Sequence, residues 1–470
     1  MPLAWVDEIA GLEPAINFLQ GKEYTSKLWP YNGVEEQFLA YLPLQGWLHI
    51  VFQKLLGFSI YLVRLPYALF LLTGAYFFYK GLRHKQVPVL LSLALLVLIF
   101  NEKSLFETTR GIRVEPIAFL LISLAFYGVF KDNKHLTSIA ISFLLILHPY
   151  VWPVALILFI GLNQELREKS TILAYLKPNI YWFYPASILI LYLVFIDFNI
   201  ELFLSQFTAQ IDYHQTFGGF SGRLYNHFIE RFWPYYFSQP FVPLVIYLAF
   251  IASIYKLAHR QAQIADVALV FSQICWLIAV GPMHRYNCVL FILSIVSFIP
   301  YFTRIKISQF TPYKLILLAG LLAISSIDVV ARQVLATTQR VERNPYAFIS
   351  WLNKQIPEGQ TIISGHEIAY YQTAYNSNQD FFLFNTEPYR FNFDEYENRL
   401  ILSYDKLDKG ELLATYNVRN KSSLDWINRA NSLTYDGINL YQFKSASAYQ
   451  AELKILKSLN TAKNNQTKYD

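Results

Sequence analysis

Two acids stand side by side near the start of the chain, Asp7 and Glu8 in MPLAWVDEIAG, about fifty residues before the first long apolar run. A carboxylate beside a hydroxyl can take its proton as a general base. An adjacent carboxylate can tune that base or orient its partner. The plainer reading is two solvated acids. Further on, NEKSLFETTRGIRVEP puts Arg113 and Glu115 at the mouth of an apolar run. An acid there is costly unless paired or wet, and it also suits the positive end of a helix dipole. Pairing or capping therefore competes with substrate contact at these two positions. Arg223 in FSGRLYNHF and His284-Arg285 in GPMHRYN lie between apolar runs. Arginine contacts phosphate bidentately, but it also snorkels at membrane surfaces. His148 in LLILHPYVWP, beside a proline, reads first as the cap of a broken helix.

The elements that must position these groups are membrane-like. Of the 470 residues, 54% are hydrophobic and 15% charged, against about 25% charged in ordinary soluble domains. The net charge of +6 comes from short Lys/Arg clusters between apolar runs. That pattern sets membrane orientation and does not point to nucleic acid. The two cysteines, Cys275 and Cys288, make neither a disulfide framework nor a zinc site. Charge density rises after about residue 330. The expected organisation is an external catalytic loop with interfacial helices over 1–56, a multi-span domain over 57–330, and an external soluble α/β domain with a disordered tail over 331–470.

A span needs roughly 20 apolar residues, fewer with snorkelling flanks. Candidates fall at 57–79, 87–100, 114–130, 136–149, 150–162, 180–197, 241–257, 264–281, 286–303 and 313–330, about ten in all, with the pair around His148 one broken helix or a re-entrant hairpin. With the N-terminus outside, the short inside loops hold 13 basic residues and the outside loops six. The positive-inside rule then places both termini, Asp7-Glu8, His284-Arg285 and the C-terminal domain on the outer face. An outside N-terminus with no basic leader points to a further helix upstream. The expected fold is thus a polytopic α-helical membrane protein with a small C-terminal external α/β domain.

The order of motifs resembles the GT-C class of membrane glycosyltransferases, in its protein O-mannosyltransferase and lipid A aminoarabinose transferase branch. The resemblance rests on Asp7-Glu8, the stretch from Ala15 to Gly21, Tyr41-Leu42-Pro43-Leu44, Gly57 and Arg64-Leu65-Pro66. It covers residues 1–130 by motif and the later spans by architecture only. Leu42 stands where the class has the first proline of a pair, the class's first helix is absent, and no Asp-x-Asp occurs. The resemblance implies transfer of a sugar from a polyprenyl-phosphate donor to a glycan, lipid or protein hydroxyl, with inversion. It makes Asp7 the base and Glu8 its helper. It makes Arg113, Glu115, Arg223, His284 and Arg285 substrate contacts, Arg285 foremost for the lipid phosphate. No cofactor is firmly implied, and a divalent metal has no motif to support it. The rivals are a transporter or flippase of a lipid-linked glycan, and a non-catalytic subunit of envelope assembly. Against the first, no charge sits at mid-span as a coupling site and no inverted repeat is apparent.

Overall fold

The computed structural model describes residues 6–26, 36–39, 41–57, 59–108, 112–162, 180–215, 239–279, 286–305, 311–338, 345–356, 362–364, 381–383, 400–403, 410–416 and 438–442. The chain divides into two compact units, one of residues 1–36 with 331–470 and one of 37–330.

The first unit opens with helix α1 (Val6–Leu19). From sequence, EPAINFLQGKEY reads as a short helix that ends near Gly21. The helix starts about two turns earlier and takes Asp7 and Glu8 into its first turn. Acids are favoured there by the helix dipole. Pro14 lies inside α1 and removes one backbone hydrogen bond. Glu13 is buried and accepts a hydrogen bond from Ser26 Oγ at 2.6 Å. Asn17 Nδ2 donates to Thr25 O at 2.9 Å. Together these bonds fold the segment after Gly21, which turns with φ +76°, back on the helix.

The second unit holds the apolar helices. They are α2 (Leu44–Leu56), α3 (Ile60–His84), α4 (Val89–Asn101), the short α5 (Lys103–Thr108), α6 (Glu115–Phe130), α7 (Lys134–Leu145), α8 (Trp152–Leu162), α9 (Ile180–Phe195), α10 (Ile200–Gln215), α11 (Phe241–Ala258), α12 (Ile264–Ala279), α13 (Asn287–Ser297), the short α14 (Ile299–Phe302) and α15 (Pro312–Thr338). Every apolar run read from the sequence falls on one of them. Length is another matter. Among the described residues, Leu62–His84 and Phe241–Ala258 are long and apolar enough to cross a membrane, and α9 with α10 qualifies only as a pair bent by 92°. The others are shorter apolar helices. The bend has a local cause: Asp197 and Phe198 take left-handed backbone angles, φ 49° and 56°, and Asn199 Oδ1 then caps α10 by accepting from Leu202 N at 3.0 Å.

The most extensive helix contact is between α3 and α6. A Cβ at Gly74 would lie 2.8 Å from Phe119 Cδ1 and 3.0 Å from Leu120 Cα, so only glycine allows the two backbones this approach. The opposite side of α3 exposes Leu62, Leu65, Leu69 and Leu72. A helix apolar on both faces suits a lipid surround. Helix α2 is turned the other way: Gln45, His49 and Gln53, four residues apart, are buried, while Val51, Leu55 and Leu56 are exposed. That is the orientation of a helix lying on a bilayer with its polar side against protein. Lys256 of α11 is buried against Asp266 in the first turn of α12, Nζ to Oδ1 2.8 Å. Ser253 and Ser297 also bond that carboxylate, joining α11, α12 and α13.

The first unit resumes with helix α16 (Pro345–Gln355) and five strands: β1 (Ile362–Ser364), β2 (Phe381–Leu383), β3 (Leu400–Ser403), β4 (Glu411–Tyr416) and β5 (Ile438–Gln442). The sheet order is β2-β1-β3-β5-β4. β1 pairs in parallel with β2 and β3, and β5 pairs antiparallel with β3 and β4. Phe348 and Trp351 of α16 pack on Tyr416 of β4, ring centroids 5.3 and 5.4 Å away.

Candidate active site

The segment joining α4 to α6 is fixed by buried polar bonds. Glu102 caps α5: its two oxygens accept from Ser104 N at 2.9 Å and Leu105 N at 2.7 Å. Gln239 accepts from Lys103 N at 3.0 Å and donates to the carbonyls of Asn101 and Ser325. Gln45 of α2 donates to Ile112 O at 3.2 Å. These bonds deliver Arg113 and Glu115 to the start of α6 as a bidentate pair, Nη2–Oε1 2.6 Å and Nε–Oε2 3.1 Å. Glu115 is fully buried and Arg113 is 7% exposed. The pair is the structural reading of these residues, and it neutralises both charges within the protein.

Beside it lies an aromatic wall. His148 caps the turn Pro149–Val151, its Nδ1 accepting from Tyr150 N at 3.3 Å. An accepting Nδ1 assigns the proton of the neutral ring to Nε2. The Tyr150 ring stacks on Tyr286, centroids 4.2 Å apart and planes 5° from parallel. His148 adjoins both rings, at 5.0 and 5.6 Å. Trp276 Nε1 anchors the turn by donating to Tyr150 O at 2.9 Å. Arg113 lies within electrostatic reach of both tyrosines.

This wall closes a cavity of about 790 Å³. The rest of its lining is apolar, including Leu145, Leu156, Phe159, Leu189, Phe207 and Phe271. The polar hydrogens of Trp152 and Trp276 that border it are already bonded to backbone carbonyls. Such a cavity accepts a hydrocarbon chain and offers it no hydrogen-bond competition. Cys275 also lines it, whereas Cys288 is buried in the core.

Of the site residues read from the sequence, Arg113 and Glu115 are together here. Asp7 and Glu8 are on α1 in the other unit. Arg223, His284 and Arg285 lie outside the described residues. Tyr150 and Tyr286 gather around the pair, Asn287 directly follows Tyr286 and Glu102 lies in the segment that leads to the pair, none of them having been singled out. Asn287 and Glu102 carried a signal, since a polar side chain at the edge of an apolar run is costly unless used. The tyrosines carried none in a chain with 34 of them. Among the described residues, no group of three His, Cys, Asp or Glu could hold a metal ion.

No protein-family model and no curated protein matches this sequence. Solved structures do match. The fold is similar to that of ArnT from Cupriavidus metallidurans in the apo state, with a TM-score of 0.54 over 95% of this chain and 94% of that one, at 10% identity. The same protein bound to undecaprenyl phosphate gives a TM-score of 0.53 over 94% of each chain, at 9% identity. The chain therefore shares the overall fold of that protein.

Proposed function

We propose that this protein is a membrane glycosyltransferase. It takes a sugar linked to polyprenyl phosphate and passes it to a hydroxyl of a glycan, lipid or protein on the outer face of the cytoplasmic membrane. The observation that carries this reading is the apolar cavity between α7, α8, α9 and α12, backed by His148, Tyr150 and Tyr286. It lies in a fold shared with a protein whose structure holds undecaprenyl phosphate. A cavity of this lining suits an isoprenoid chain.

In the proposed reaction Asp7 takes the proton of the acceptor hydroxyl as that oxygen attacks the anomeric carbon. The carbon–oxygen bond to the phosphate breaks on the opposite side, so the configuration inverts. Polyprenyl phosphate leaves with the bonding electrons, its charge met by fixed cations. Arg285, with Arg223 and His284, fills that role, and Glu8 orients the acceptor. Arg113, bound by Glu115, serves to hold the start of α6.

Binding in nanodiscs tests the reading before any acceptor is known. Undecaprenyl phosphate should bind the purified protein, as read by native mass spectrometry, and a phospholipid in excess should not displace it. Displacement by bulk phospholipid would leave the cavity a mere lipid-filled crevice and sink the assignment.

A further inference from the structure

Two neutral side chains are buried beside the aromatic wall with no hydrogen-bond partner. They are the hydroxyl of Tyr150 and the carboxamide of Asn287, the latter at both Nδ2 and Oδ1. Each residue is 1% exposed. Unpartnered buried polar groups are costly, and in native proteins they call for an explanation such as a ligand. Asn287 is flanked by Tyr286, which stacks on Tyr150, and by Cys288, which lies within electrostatic reach of Tyr150 and Glu115.

We propose that Tyr150 and Asn287 form the subsite for the sugar ring of the donor, where they bond its hydroxyl groups. The inference rests on the polyprenyl-phosphate reading above and adds which end of the donor this place recognises. Charge argues against the phosphate. Arg113 is already neutralised by Glu115 in a bidentate pair, so this pair offers an anion no net charge. The chemistry of the carboxamide argues the same way. A phosphate oxygen could satisfy Nδ2 but would leave Oδ1 unpartnered and repelled. Two neighbouring hydroxyls satisfy both, one accepting and one donating, and the phenol of Tyr150 takes a third.

Location connects the subsite to the donor. Tyr150 and Tyr286 both line the apolar cavity, so a chain held there brings its head group to them. The Tyr286 ring covers Tyr150 in this structure. It stands directly at the N-terminal end of α13. A sugar reaching Tyr150 takes the place of that ring and stacks where it stacked.

The test compares four ligands in nanodiscs: undecaprenyl phosphate, and the same lipid carrying mannose, glucose or arabinose as the sugar-bearing set. Wild type should bind at least one sugar-bearing lipid about tenfold more tightly than the bare phosphate, the factor worth about one net hydrogen bond. Tyr150→Phe and Asn287→Leu should each remove most of that gain, with a far smaller effect on undecaprenyl phosphate itself. Both variants should melt at or above the wild-type temperature, because each deletes an unpartnered polar group. A structural role predicts the opposite. Equal loss for bare and sugar-bearing lipids, or no gain for any sugar in wild type, overturns the subsite. Failure of wild type to bind even undecaprenyl phosphate overturns the cavity reading beneath it as well.

Discussion

The rings of Tyr150 and Tyr286, 136 positions apart in sequence, lie 4.2 Å apart and nearly parallel. The contact ties the turn before α8 to the start of α13. It forms the wall where an apolar cavity meets the buried Arg113–Glu115 pair. Lipid chemistry on one side and polar chemistry on the other is what a donor of mixed character requires.

Filling the cavity should therefore disable it without unfolding the protein. Ala186 lines the cavity and is itself exposed, so Ala186→Trp adds bulk to open space rather than to packed core. Undecaprenyl phosphate binding should fall at least about tenfold, the factor set by a loss of some 1.4 kcal/mol. The melting temperature in detergent should stay near wild type.

The Arg113–Glu115 pair should behave as a buried pair does. Glu115→Gln leaves the Arg113 charge buried without its counter-ion and should cost about 3–5 kcal/mol. The double variant Arg113→Met with Glu115→Leu removes both charges and should be the more stable of the two. Thermal unfolding of the two proteins side by side decides it, and a double variant no better than the single one would argue against a mainly structural pair.

His49 predicts an acid sensitivity. It is fully buried in α2, bonded to Tyr67 Oη at 2.8 Å. Burial holds its pKa far down, at about 3 from an ordinary 6.5. The neutral form is thus favoured in the folded state. Stability is intact above the unfolded value near 6.5 and is lost as pH falls from there towards 3, because only the unfolded chain takes up the proton. The slope approaches 1.4 kcal/mol per pH unit, about one proton's worth. His49→Gln should flatten the melting temperature between pH 7.5 and 5 relative to wild type.

The α3–α6 contact predicts an overpacking defect. Gly74→Ala should cost about 1–3 kcal/mol. Phe119→Leu should not fully rescue it, since the Leu120 backbone lies nearly as close as its neighbour's ring, Cα at 3.0 Å against 2.8 Å. Full rescue by Phe119→Leu would mean that only side-chain crowding matters there.

Much of this fold is legible in the sequence, because an apolar run of a dozen residues or more commits the backbone to a helix. The strands of the C-terminal segment show as short apolar runs such as LILSY and LLATY. What escapes is set by single residues or by long-range contact. The 92° bend after α9 depends on left-handed Asp197 and Phe198, neither of them a glycine. The early start of α1 is masked by Pro14, which usually breaks helices. The aromatic wall joins tyrosines from opposite halves of the chain, and no local pattern marks them. The Arg113–Glu115 pair was readable from spacing, although only the structure decides between pairing and substrate contact.

The central claim is sugar transfer from a polyprenyl-phosphate donor with Asp7 as base. It is tested most directly by turnover in proteoliposomes. Labelled undecaprenyl-phosphate mannose, glucose and arabinose would be supplied with a crude envelope glycan and lipid extract as acceptor, to wild type and to Asp7→Asn. The account predicts that wild type moves label from one donor into the acceptor fraction, and that Asp7→Asn loses this by at least about a hundredfold while still binding undecaprenyl phosphate. Label that stays on every donor in wild type, or transfer undiminished in Asp7→Asn, would contradict it.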